Sequence, residues 1–146
     1  MFKFRLDALL KSRKRREEEK QRELALAARD LQKAQEKIDT LVKERGQYNK
    51  KLTELRAGAK DVNILMLYDN FMTGREDDIF SDQKKLGEAH GRVAKKQAEL
   101  LEYVKKRRSI ELLREKWRQA YIDGEKRKER FVMDEIASQA WFREEI

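Results

Sequence analysis

The chain has 146 residues, 44% of them charged and 39% hydrophobic, with no proline and no cysteine. The missing cysteines exclude disulfides, Cys-ligated zinc and thiol catalysis, and so small an apolar share among so many charges excludes a layered core in favour of elongated helices. Lys and Arg outnumber Asp and Glu by 36 to 28; the resulting basic balance suits nucleic acid, an anionic membrane surface or acidic protein surfaces, without choosing among them.

Met1 to Arg22 opens on apolar residues (Phe2, Phe4, Leu6, Leu9, Leu10) and passes into a charged run, Lys11 to Arg22, with seven basic and three acidic side chains. Two readings stand for that run: a solvated helical face held by i to i+4 ion pairs such as Glu18 with Arg22, or a basic docking surface. From Leu24 an apolar seam sets in at alternating spacings of three and four: Leu24, Ala27, Leu31, Ala34, Ile38, Leu41, Arg45, Tyr48, Leu52, Leu55, Ala59, Val62. A mean spacing of 3.5 keeps one narrow stripe facing a partner helix as the two supercoil. The residues between are mostly Lys, Glu, Gln, Arg and Asp, so no second face asks for burial.

Near residue 58 the signals change. Gly58 can take the left-handed conformation that ends a helix, and Asp61 or Asn63 can cap the next one. A second seam then runs in unbroken phase from Leu65 through Tyr68, Met72, Ile79, Leu86, Val93, Leu100 and Ile110 to Tyr121, crossing Gly74, Gly87 and Gly91. The expected fold is all-α: two long helices forming an antiparallel coiled-coil hairpin, the second helix longer, with a helix over about 4–57, a turn over about 58–63 and a helix over about 64–140. Centring the turn near residue 61 pairs residue i with about 122 − i. That pairing sets Arg45 opposite Asp77 and Asp78, and predicts an Arg45–Asp78 bridge that fixes register. A paired rod of about 80 to 90 Å follows from 1.5 Å per residue.

Everything after about residue 120 overhangs in this arrangement. The overhang carries Lys126, Arg127, Lys128 and Arg130, then Phe131, Met133, Ile136, Ala140, Trp141 and Phe142, which reads either as a binding surface or as a frayed tail. Charge is polarised too. Residues 1–22 carry nine basic and four acidic side chains and residues 105–130 eleven and five, against three and seven in residues 61–88. The terminal end of the hairpin is expected to be basic and the turn end acidic.

Chemistry-bearing motifs do not emerge: no catalytic, cofactor-binding or metal-ligating constellation is expected, and the single histidine, His90, lies off the seam. No apolar run approaches the roughly 18 residues of a membrane span, and no apolar stretch with a small-residue cleavage site follows the amino terminus. The expectation is a cytoplasmic chain without direct membrane insertion. Nucleic acid remains an alternative partner through the basic runs Arg13 to Arg16 and Lys105 to Arg108, diluted by the adjacent Glu17 to Glu19.

Phe4-Arg5-Leu6 with Leu9-Leu10, then Arg13 to Glu19 and Glu23-Leu24-Ala25, resembles the opening of the FliJ family of the bacterial flagellar type III export apparatus. Glu129 followed by Met133-Asp134-Glu135 and Ala137 is similar to that family's closing signature, and Tyr48 and the Tyr68-x-x-Phe71 pair look like family positions. The resemblance implies a non-enzymatic stalk, similar in fold to the antiparallel helices of the rotary-ATPase gamma subunit. Such a stalk engages the hexameric flagellar export ATPase, promotes its assembly, links it to the membrane-embedded export gate and handles export chaperones. It implies a location at the inner face of the cell membrane, at the flagellar base. The basic termini supply the candidates for the ATPase end: Arg13, Arg15, Arg16, Lys20, Arg22, Lys126, Arg127 and Lys128. Tyr68, Phe71 and Met72 are the candidates for the gate end, although Gly74-Arg75 and Asp78 depart from the apolar pattern expected after Phe71.

Overall fold

The computed structural model describes residues 1–58 and 61–145. It contains two helices, α1 (Asp7–Gly58, 52 residues) and α2 (Val62–Glu144, 83 residues), and no strand among the described residues. The fold is the all-α antiparallel hairpin with the longer second helix. Proline-free sequence lets both helices run uninterrupted, since one proline in a helix interior costs about 3 kcal/mol. α2 passes through Gly74, Gly87, Gly91 and Gly124 without a break.

Of the expected turn over 58–63, Ala59 and Lys60 lie outside the described residues. On its far side the Asp61 carboxylate accepts a hydrogen bond from the Asn63 backbone N–H at 3.0 Å, which satisfies one of the free donors at the start of α2. Gly58 behaves differently from the expectation. No described glycine has positive φ, so Gly58 is the last residue of α1 and not the left-handed cap expected there. Val62 begins α2 and is exposed, so the first seam ends at Leu55 among the described residues.

Two compact units make up the chain, Met1–Glu18 with Glu102–Ile146, and Glu19–Leu101. In the Glu19–Leu101 unit the buried apolar side chains are Ala27, Ile38, Leu41 and Leu52 from α1 and Met72, Ile79 and Ala89 from α2, all on the two seams. Pairing across them is regular: Glu23 meets Lys96, Lys37 meets Asp82 and Glu44 meets Arg75, while Tyr48 meets Phe71. The residue numbers in each pair add to 119, a shift of three from the 122 anticipated. Arg45 is half-buried in the seam and Asp78 is exposed, and no ion pair joins them. With the register shifted, the bridge at this level runs instead from Glu44 to Arg75 at 3.6 Å.

In the other unit, the helix expected from about residue 4 starts at Asp7, and residues 1–4 are not helical. Residues four apart share one face of a helix, and Trp117 and Tyr121 hold the two rings of the amino terminus: Phe4 meets the Trp117 ring edge-on at 5.3 Å between centroids, and Phe2 meets Tyr121 at 5.7 Å. Leu10 is only 1% exposed. A polar seam position is also buried here: the Arg107 Nε–H donates to the Glu17 carboxylate, and the Arg107 Nη1 donates to Glu111 at 2.8 Å.

A seam this narrow makes each buried residue matter. Leu10→Ala is expected to lower the unfolding free energy by about 2–3 kcal/mol, whereas Leu26→Ala, on the outward face, should change it by less than about 0.5 kcal/mol. Urea denaturation followed by helical circular dichroism separates the two.

Candidate functional surfaces

The sequence-predicted site residues fall in three regions, two within the Glu19–Leu101 unit and one in the unit that holds the termini. In the last, Glu17 meets Arg107 and Phe2 meets Tyr121, so Arg13 to Arg16 and Lys126 to Lys128 form two basic stretches about 30 Å apart along the helix. The first is an apolar groove of about 300 Å³ formed by Tyr48 from α1 and Leu67, Tyr68 and Phe71 from α2. Tyr48 and Phe71 pack edge to face at 4.7 Å, and the Arg75 guanidinium sits 5.0 Å from the Phe71 ring centroid, a cation–π distance. Leu67 is 68% exposed and Phe71 39% exposed, so the groove offers apolar surface. Met72 is 6% exposed and lies in the seam. Buried there, it offers no surface to a partner.

The second place is an ion network between the helices. Lys20 donates to Glu23 at 3.2 Å and to Glu99 at 3.4 Å, and Lys96 donates to Glu23 at 3.0 Å and to Glu99 at 3.4 Å. Hydrogen bonds from Lys96 and then Lys20 hold the Glu23 carboxyl below its ordinary value. Burial alone would raise Glu99, but the Lys20 hydrogen bond and the charges of Lys96 and Lys20 outweigh it and leave Glu99 lowered. Lys20 and Lys96 are raised in turn, each chiefly by its hydrogen bond to Glu23. Lys20 is thus half-buried and engaged inside the hairpin, which removes it from the outward basic surface. Arg22, two residues along the same helix, is exposed.

The third place is the basic surface of the unit holding the termini. Arg15, Arg16, Lys126, Arg127 and Lys128 are exposed and Arg13 is half-buried. Lys128 pairs with Glu125 at 3.6 Å; among the described residues Arg15, Arg16, Lys126 and Arg127 meet no carboxylate within ion-pair distance. Glu17, expected to dilute this patch, is turned inward onto Arg107 and leaves Arg15 and Arg16 less compensated than their sequence neighbours suggest. Arg107 likewise holds Glu111 below its ordinary value, through a hydrogen bond first and charge second.

Tyr48 and Leu67 belong to the groove but not to the candidates picked from sequence. Tyr48 carried a signal, as the one aromatic in the α1 seam. Leu67, one residue off the α2 seam, carried none. His90 is exposed and borders a shallow surface hollow with Leu31 and Gln32. Among the described residues no cluster of three His, Asp or Glu side chains is placed to hold a metal ion, and no helix is long and apolar enough to cross a membrane.

A two-helix coiled-coil hairpin with exposed charged and aromatic surfaces defines a helical interaction protein. The family model described as Flagellar FliJ protein matches residues 2–145, and the chain belongs to the FliJ family. It is accordingly a component of the flagellar export apparatus, from a family of non-catalytic parts. No curated protein and no solved structure matches the chain.

The shifted groups set a pH window for stability. Glu23, Glu99 and Glu111 have lowered folded values, so their stabilisation is fully present above the ordinary 4.5 and is lost as pH falls through the lower folded values. Lys20 and Lys96 have raised folded values; their share is present below 10.5 and is lost as pH rises through the higher folded ones. Thermal melts should show a plateau between these limits with a decline on either side, and Glu23→Gln should flatten the acid limb.

Proposed function

We propose that this chain is a non-enzymatic stalk of the flagellar export apparatus. In this reading it engages the hexameric export ATPase through its basic surface, promotes assembly of the ring, and links it to the cytoplasmic part of the export gate and to export chaperones. It works in the cytoplasm, peripherally at the inner face of the cell membrane at the flagellar base. The observation that carries the reading is the family match over residues 2–145 on a long helical hairpin. Arg15, Arg16, Lys126 and Arg127 support it further, since long cationic side chains free of internal ion pairs keep their donors for acidic protein surfaces. Arg13 and Lys128 stay with this surface; Arg22 is an exposed cation of the Glu19–Leu101 unit, and Lys20 is taken into the ion network there. The groove of Tyr48, Leu67, Tyr68 and Phe71 suits a second contact of apolar character, assigned here to the gate.

ATP turnover by the cognate export ATPase, titrated with this protein, tests the proposal. Saturable stimulation and ring assembly are expected. Arg15→Glu with Arg16→Glu should raise the half-saturating concentration about tenfold, equivalent to about 1.4 kcal/mol, while Leu67→Ser leaves it unchanged. Absence of both stimulation and co-assembly, with salt-sensitive DNA or RNA binding in their place, would instead identify a nucleic-acid-binding coiled coil.

A further inference from the structure

Three ion pairs across the Glu19–Leu101 unit share one geometry. Glu23 meets Lys96 at 3.0 Å, Lys37 meets Asp82 at 3.5 Å and Glu44 meets Arg75 at 3.6 Å. In each, the α1 partner stands one place before a seam residue (Leu24, Ile38, Arg45), and the α2 partner stands in the seam itself. Taken every seven residues, the α1 line reads Glu23, Asp30, Lys37, Glu44, Lys51, and the facing α2 line reads Lys96, Ala89, Asp82, Arg75, Tyr68. Asp82 is only 7% exposed, and Arg75 and Lys96 are half-buried, so water does little to screen whatever stands opposite them.

We infer that Arg75, Asp82 and Lys96 lock the register of this unit and thereby assemble the aromatic groove. Apolar packing alone does not fix register, because a seam with a period of 3.5 residues repeats after one heptad. The charges do not repeat. Sliding α2 by seven residues one way sets Glu44 on Asp82 and Lys51 on Arg75; sliding it the other way sets Asp30 on Asp82 and Lys37 on Arg75. Each direction thus makes at least two like-signed contacts. The first keeps one opposite pair, Asp30 with Lys96, and the second keeps none. Arg45 would come level with Asp82 in the first, but it brings Glu44 with it. A slip of half a heptad sets Glu23, Lys37 and Glu44 against Leu100, Leu86 and Ile79, or against Val93, Ile79 and Met72, which breaks all three pairs. Selectivity of this kind comes from the penalty on wrong pairings more than from the strength of the right ones. The groove depends on the same register. Tyr48 meets Phe71 at 4.7 Å, and a heptad slip would put Asp78 or Ile64 in the place of Phe71.

The inference rests on the geometry of the groove and not on what the groove binds. Because the chain has no cysteine, introduced thiols report register. Ala34 stands four residues before Ile38, and Leu86 four after Asp82, which puts the two at one level; a heptad slip would bring Val93 or Ile79 to Ala34 instead. Ala34→Cys is combined in turn with Leu86→Cys, Val93→Cys and Ile79→Cys in the full chain, and intrachain disulfide formation is measured in glutathione buffer, with helix content followed by circular dichroism. The pair at 34 and 86 should oxidise about tenfold more favourably than either other pair. Arg75→Glu with Asp82→Lys should move the preference to position 93 or 79, since either slip then joins opposite signs. Adding Lys37→Glu and Glu44→Lys should return it to position 86. Equal oxidation of the three pairs on the native charges overturns the inference, as does a preference for position 86 that survives the two-residue change. So does a four-residue variant that fails to regain that preference, whether or not the two-residue variant keeps its helices.

Discussion

The structure depends on a single narrow apolar stripe buried between two antiparallel helices. Ala27, Ile38, Leu41 and Leu52 close on Met72, Ile79 and Ala89, and Leu10 repeats the arrangement in the unit holding the termini. A stripe spaced at 3.5 residues has no thickness beyond one layer of side chains, so stability is spread over many small contacts. Every other position is then free to carry charge. The same constraint explains why the buried polar positions are paired: Asp82 with Lys37 and Lys85, and Glu17 with Arg107. An unpaired charge in so thin a seam would lose its hydration with nothing to replace it.

Exposed aromatic and basic residues gather where the seam has nothing to bury. Aromatic and apolar residues beside the stripe, at Leu67 and Phe71, form a groove because Tyr48 across the hairpin is large enough to hold one wall. Basic residues gather on the surface near the termini, and the inward turn of Glu17 sharpens that surface. Both features are by-products of packing. The seam decides which charges are spent inside the hairpin, as Lys20 is, and which remain outside, as Arg15 and Arg16 do.

Much of this was legible in the sequence, and the reasons lie in particular residues. The seams of both helices could be traced because burial in a two-helix coil is periodic and almost one-dimensional; the positions Leu24 to Leu55 and Leu65 to Ile110 are all buried or half-buried. Register was legible only to within a turn. A shift of three residues leaves apolar facing apolar, but it moves Arg45 away from Asp78 and brings Arg75 to Glu44. The start of α1, expected at about residue 4, lies at Asp7, and the partners of Phe4 and Phe2, Trp117 and Tyr121, are more than a hundred residues away in sequence. Among the site residues, burial of Met72 followed from the seam itself. Capture of Lys20 required knowing that Glu99 lies opposite.

The proposed function requires the basic surface near the termini to meet the export ATPase while the aromatic groove meets something else. A photo-crosslinking residue placed at Arg16 or at Leu67, in chain assembled with the ATPase, reads this directly. The account predicts ATPase adducts from position 16 and none from position 67. Adducts from position 67 alone, or none from position 16 in an assembled complex, would contradict it.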